Sequence, residues 1–229
     1  MASRAKDLLG KMIRTHETIY NEAFWSYFDR VIGSREAVSM LEVACGPGLL
    51  ARKILDRYQV SRLTATDVSP TMLRHARSVL GNGARERRAA AANKPAIEVR
   101  RLNFDAAAFQ FGSGPFDVAF VGLSFRNVAD PVRFLRALRP HLTPGGVLIV
   151  YDFVRVPWTE FRSAWREHVG TTEADAADSE STFSRFRNFC VYTVEDVEAI
   201  ATEAGYRLAD HQRIDAPMAL YLATLAPTE

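Results

Sequence analysis

From Val38 onward the chain alternates short β-branched runs with stretches of helical spacing, and this alternation constrains the fold more than any other feature. Parallel neighbours in a sheet need a crossover between them, so strand–helix–strand order points to βαβ units and a parallel sheet. The run Val38–Ala44 predicts a buried first strand, ended by Gly46-Pro47-Gly48. Leu49–Tyr58 then carries Leu50, Ile54 and Leu55 at helical spacing. A second strand, Leu63–Thr66, ends at Asp67, after which Ser69 and Pro70 supply an N-cap and a first helical residue. Ile97–Leu102 and Phe116–Leu123 read as strands three and four. Asp130-Pro131 repeats the cap-then-proline start for a helix with Val132, Leu135 and Leu138 as its apolar stripe. Pro144-Gly145-Gly146 predicts a turn into strand five, Val147–Phe153. Thr193 with Asp196 resembles a capping box for a helix through Ala204, stopped by Gly205. Tyr206–Ile214 and Leu220–Leu225 are the last strands, joined by a connection too short for a crossover helix, so this pair is expected to be antiparallel. The expected class is α/β: a seven-stranded sheet, mostly parallel, with an antiparallel C-terminal hairpin and helices on both faces.

Two regions fall outside the alternation. Residues 3–32 read as helical, with Ile19, Ala23, Phe24, Tyr27, Phe28 and Val31 near one face. Residues 155–192 interrupt the pattern before the last helix, and both regions are rich in aromatics such as Trp25, Trp158, Trp165 and Phe189. Segments flanking the carboxyl edge of a parallel sheet are natural covers for its ligand crevice. Residues 1–37 are therefore expected to form an N-terminal helical lid. Residues 38–229 are expected to form the main domain, with a helical lid inserted at about 155–192. Most of the aromatics are expected to pack these lids onto the body.

Composition narrows the function classes. At roughly 150 residues per domain, 229 residues suit one large domain or one domain with an appendage. No run of about 18 apolar residues exists, which excludes an integral membrane helix. Asp7 precedes any apolar stretch, so the start is not read as a secretory signal. Two cysteines, Cys45 and Cys190, make neither a disulfide framework nor a zinc site, and a reducing, cytoplasmic setting is the expectation. Twenty-nine basic against 27 acidic residues give a net charge of +2, far from the field of a nucleic-acid binder. A basic block at residues 84–101, an alanine-rich patch at 87–92 and an acidic block at 171–184 read as solvated loops.

The chemistry is concentrated after the first two strands. Strand, Gly46-Pro47-Gly48, then helix is the arrangement in which backbone approaches a ligand closely, because a Cβ there would collide with the bound group or forbid the turn. Asp67 ends the next strand, where a carboxylate can accept both hydrogen bonds of a ribose diol. Gly46-x-Gly48-x-x-Ala51 also fits a dinucleotide fingerprint, so NAD competes with S-adenosyl-L-methionine. Glu42, in the strand before the loop, would repel a pyrophosphate yet suits an amino or sulfonium group. Asp105, after strand three, is placed to accept from an adenine amino group, and the closing hairpin is alien to a dinucleotide sheet. These three features favour S-adenosyl-L-methionine.

Leu41-Glu-Val-Ala-Cys-Gly-Pro-Gly48, Asn103-Phe-Asp-Ala106, Phe116-Asp117, Gly122-Leu-Ser-Phe-Arg-Asn-Val-Ala-Asp130 and Leu142-Thr-Pro-Gly-Gly146 through Asp152-Phe153 together resemble a class I S-adenosylmethionine-dependent methyltransferase. Within that Rossmann-like fold the chain is similar to the ubiquinone/menaquinone C-methyltransferase family. The match is good over about residues 38–155 and loose over 193–226. It lacks the family's N-terminal signature and its quinone-side segment, so specialised-metabolite methyltransferases on the same body fit equally. The resemblance implies cofactor contacts at Glu42, Ala44, Gly46 and Gly48 along the methionine part, at Asp67 and neighbouring Val68 on the ribose, and at Asp105 and Ala106 on the adenine. Leu123, after strand four, joins this set.

Other candidates come from side-chain chemistry. Met72 could cover an adenine face with its thioether, or pack the core. Tyr20 could reach the methionine carboxylate. His16 and His168 are the candidate bases for an acceptor that must lose a proton. Arg126 could stabilise an anionic acceptor oxygen, or form a salt bridge to Asp130 or Asp152. Cys45 reads as a small apolar filler, His75, His141 and His211 have no evident partner, and no metal site is implied. The expected function is C- or O-methylation of a small apolar or aromatic molecule, with a homodimer as one assembly the chain allows. Two alternatives are a non-methylating step such as a cyclisation, and a non-catalytic cofactor-binding partner.

Overall fold

The computed structural model describes residues 2–33, 35–87, 94–106, 110–169, 178–215 and 218–228. Residues 88–92 of the alanine-rich patch, and Glu173 and Asp175 of the acidic block, lie outside them.

Helices α1 (Ala2–Ile19) and α2 (Glu22–Ile32) precede β1 (Val38–Val43), α3 (Leu49–Arg57), β2 (Val60–Asp67), α4 (Pro70–Arg87), β3 (Ala96–Arg101) and β4 (Phe116–Gly122). There follow α5 (Pro131–Leu138), β5 (Leu142–Phe153), α6 (Trp158–Val169), α7 (Glu180–Phe189), α8 (Val194–Glu203), β6 (Tyr206–Ile214) and β7 (Leu220–Pro227). The strands form one seven-stranded sheet in the order β3-β2-β1-β4-β5-β7-β6. Neighbours from β3 to β5 are parallel, and β7 runs antiparallel to both β5 and β6, as the short last connection requires.

The local signals read from sequence act as caps. Asp130 accepts the Arg133 N–H with Pro131 behind it, and Thr193 and Asp196 form a reciprocal capping box. One expectation is corrected. Pro144-Gly145-Gly146 is not a separate turn but an irregular stretch within β5, across which the pairing jumps from Phe116–Leu142 to Val118–Val147. The extra residues bulge out of the ladder, with Gly145 at φ +75°.

Side-chain alternation along the strands builds two cores. Leu41, Val43, Ala119, Val121, Leu148 and Val150 face one side, where α5, α6 and α8 cover them. Met40, Val118, Phe120, Ile149 and Tyr151 face the other, under α2, α3 and α4. Helix α2 is fixed there by fully buried Phe24, Tyr27 and Phe28, and the Tyr27 hydroxyl hydrogen-bonds Thr224 Oγ1 at 2.7 Å. The Tyr151 hydroxyl donates to the Ile19 carbonyl at 2.6 Å, tying the α1–α2 junction to β5. Strand order reverses between β1 and β4, and a crevice opens at their carboxyl ends, as the topology of such sheets dictates.

Candidate functional site

At this switch point the backbone leaves both strands in an unusual conformation. Ala44 and Leu123, which follow β1 and β4, have φ of +56° and +54°, a region that side-chain-bearing residues adopt at a cost of about 1–3 kcal/mol. Both line the crevice. Gly46 continues at φ +53°, and a Cβ there would lie 2.6 Å from Met12 Cε of α1. Gly48, at φ +78°, faces elsewhere: a Cβ on it would strike Ala76 of α4 at 2.9 Å. Gly48 lines neither cavity and instead lets α3 and α4 meet.

The crevice has two adjoining parts. The larger, about 1010 Å³, is lined by Ala44, Gly46, Asp67, Val68, Met72, Asp105, Leu123 and Arg126 among the residues singled out from sequence. The smaller, about 100 Å³, lies under α1 and is lined by His16, Tyr20, Glu42 and Cys45. Met12, Thr15, Ile19, Ala44, Leu123 and Ser124 border both. Ala106 lines neither; its carbonyl accepts from the Arg133 guanidinium. His168 belongs to α6, and its side chain lies outside the described residues. His75, partnerless on sequence grounds, places its Nδ1 3.1 Å from the Pro47 carbonyl and so braces the glycine loop.

Asp67 organises the loop. Its Oδ2 accepts the Gly46 N–H at 2.9 Å and its Oδ1 the Ser69 N–H at 2.7 Å, which leaves each oxygen a further lone pair toward the cavity. Burial raises its pKa against the pull of these backbone donors. Asp105 Oδ1 accepts the Ala129 N–H at 3.1 Å, fixing the turn after β3.

The smaller chamber holds two buried polar atoms without partners, Glu42 Oε2 and His16 Nε2. Glu42 is 4% exposed and His16 7%. Desolvation, reinforced by the Asp67 charge, pushes the Glu42 carboxyl up to about 8. Burial, with Lys53 nearby, holds His16 below its ordinary 6.5, so the ring is neutral at pH 7. Tyr20, whose ring is 4.8 Å from that of His16, has its phenol held protonated by desolvation and by the Glu42 charge.

The raised Glu42 value makes a prediction about the unliganded protein. The folded chain holds this proton more tightly than the unfolded chain, whose carboxyl titrates near 4.5. The contribution to stability is full below that pH and is lost as pH rises toward about 8. A Glu42→Gln variant removes the proton and therefore the slope. Its melting temperature relative to wild type should rise steadily between pH 5 and pH 8, by an amount worth a few kcal/mol (about 1.4 per pH unit). A difference that is flat with pH would show that Glu42 is already ionised in the folded chain.

At the other end of the cavity Arg126 pairs with Asp152, a residue with no exposure. Asp152 also accepts the Arg126 N–H at 3.0 Å and the Phe153 N–H at 2.9 Å. The guanidinium carbon lies 5.1 Å and 5.2 Å from the Phe153 and Phe189 ring centres, within cation–π range. Of the two salt-bridge partners weighed from sequence, the structure selects Asp152.

Several lining residues escaped the sequence reading. Leu8, Lys11, Met12 and Thr15 of α1 recur at helical spacing, a legible stripe whose target was not legible. Arg185 and Met218 come from segments distant in sequence, and no local signal marked them, whereas Trp165 and Phe189, read from sequence as lid aromatics, also line the cavity.

This geometry, a glycine turn after β1 with acids ending β2 and following β3, agrees with comparison to known proteins. Residues 41–148 match the methyltransferase domain family. Over these residues the chain is similar to class I S-adenosylmethionine-dependent methyltransferases. Among curated relatives, demethylmenaquinone methyltransferase of Thermus thermophilus is 35% identical over 127 residues, which is 56% of this chain and 52% of that protein. The chain thus spans about half the length of the curated relatives it matches. Among solved structures, a SAM-dependent methyltransferase from Aquifex aeolicus superposes with a TM-score of 0.61 at 18% identity, covering 97% of this chain and 96% of that one. A Haloferax volcanii methyltransferase, solved with the Trm112 methyltransferase activator, gives 0.64 at 14%, covering 98% and 96%. At these identities the structures show a shared fold. No helix among the described residues is long and apolar enough to cross a membrane.

Proposed function

We propose that this protein binds S-adenosyl-L-methionine and transfers its methyl group to carbon or oxygen of a small apolar or aromatic metabolite. The observation that carries the reading is Glu42, a buried carboxylate with an unpartnered oxygen beside the glycine turn. Burial keeps this acid protonated in the unliganded chain, and an ammonium delivered by a ligand would stabilise its ionised form. The same acid makes a pyrophosphate a poor occupant, which argues against NAD.

The chain's residues fit this cofactor from end to end. Glu42 takes the amino group, and His16, neutral and with a free ring nitrogen, is suited to donate to the carboxylate. In this reading His16 is a cofactor contact, not the base for the acceptor. Asp67 accepts the ribose diol, Val68 and Met72 flank the adenosine, and Asp105 accepts at the adenine edge. When bound, the cofactor supplies an electrophilic methyl group on a sulfonium. The chain's part is to hold the acceptor in line and keep water away, which α1 does as a lid over Gly46. Arg126, held in place by Asp152, offers its positive charge to an acceptor oxygen in the apolar half of the cavity.

Titration of the purified chain with S-adenosylmethionine, S-adenosylhomocysteine and NAD in parallel is the test. Micromolar binding of the first two without the third supports the cofactor, and binding of NAD alone overturns it. With acceptors, one S-adenosylhomocysteine released per product formed supports methyl transfer. Turnover without its release points instead to a non-methylating step such as cyclisation.

A further inference from the structure

We propose that the acceptor is an amphiphilic carboxylate, its acid group held at the mouth of the cavity between α1 and α7. This deepens the functional reading above and rests on it for the end of the cavity that the cofactor occupies. The charges around the larger cavity are sorted by position. Its acids, Asp67 and Asp105, stand on the cofactor side, whereas Lys11 and Arg14 of α1, Arg126 after β4 and Arg185 of α7 supply its bases. Arg126 already has a carboxylate partner in Asp152. Among the described residues, Lys11, Arg14 and Arg185 have no carboxylate within ion-pair distance. Arg185 instead lies over the Trp165 ring, 5.0 Å from its centre.

Three positive side chains from two separate helices thus border one cavity with no counter-charge from the described residues. Their mutual repulsion is relieved by an anion, and their field draws one to the opening. Between this rim and the strand ends the wall is apolar, made by Met12, Phe153, Phe189 and Met218. Phe153 and Phe189 stack with centroids 4.9 Å apart at an interplanar angle of 13°. A ligand satisfying both zones carries its charge at one end and an aromatic or aliphatic body behind it. The planar forks of Arg14 and Arg185 match the two oxygens of a carboxylate.

The probes are 1-naphthaleneacetate and 1-naphthaleneacetamide, identical in body and different in charge, titrated calorimetrically at low salt into the full chain with and without saturating S-adenosylhomocysteine. The acid should bind at least about tenfold more tightly than the amide. In an Arg14→Gln, Arg185→Gln double variant, that preference should fall below about threefold while amide affinity stays unchanged. Both arginines are exposed, so the variant leaves the cores intact. Equal affinities, a preference that survives in the variant, or no binding of either probe at millimolar concentration overturns the proposal. Failure of S-adenosylhomocysteine to bind would sink the cofactor reading alone, because the acid-over-amide ratio is also measured without it.

Discussion

An Asp67→Ala variant is expected to bind S-adenosylhomocysteine roughly 100-fold more weakly than wild type. Two charge-assisted hydrogen bonds to a ribose diol contribute about 1.5 kcal/mol or more apiece, and every 1.4 kcal/mol is about tenfold in affinity. The same carboxylate accepts the Gly46 and Ser69 N–H groups, so its loss also loosens the turn that admits the ligand. Asp67→Asn keeps one acceptor oxygen and should lose only about tenfold. Calorimetric titration decides the matter. An alanine variant within about threefold of wild type would mean that no ligand hydroxyl reaches this side chain.

The second large effect concerns stability. Asp152→Ala should cost about 3–5 kcal/mol, because it strands a largely buried guanidinium and leaves two backbone N–H groups without their acceptor. For a chain of this size that is a fall of roughly 10 °C in melting temperature. Burial raises the Asp152 carboxyl, and Arg126 with the two backbone donors opposes that shift. Pairing Asp152→Ala with Arg126→Met should recover part of the loss, since the stranded charge goes with it. If the double variant is less stable than Asp152→Ala alone, the guanidinium is held chiefly by the Phe153 and Phe189 rings and not by its counter-ion.

The fold was legible in the sequence to an unusual depth because its determinants are local. Cap-then-proline at Asp130-Pro131 and the Thr193–Asp196 box mark helix starts through backbone hydrogen bonds made within four residues. The length of the last connection fixes the direction of β7 without knowledge of anything else. The bulge at Pro144–Gly146 was not legible, because whether glycines make a turn or an irregular ladder depends on the partner strand β4. Gly46 and Gly48 looked alike in sequence. Only the approach of Met12 to one and Ala76 to the other separates them.

By itself the sequence determined the sheet, the switch point and the acids that end its strands, since strand periodicity and connection length carry that information. The tertiary structure alone decided what meets at that edge. Helix α1 brings His16 to the chamber that Glu42 lines, and α7 brings Arg185 to the cavity lined by Arg126, which Asp152 holds from within the core. These residues stand far apart along the chain, from the first helix to the segment after β5. No short-range propensity encodes their meeting, which follows from burial of the aromatic faces that pack α2 and α6 against the sheet.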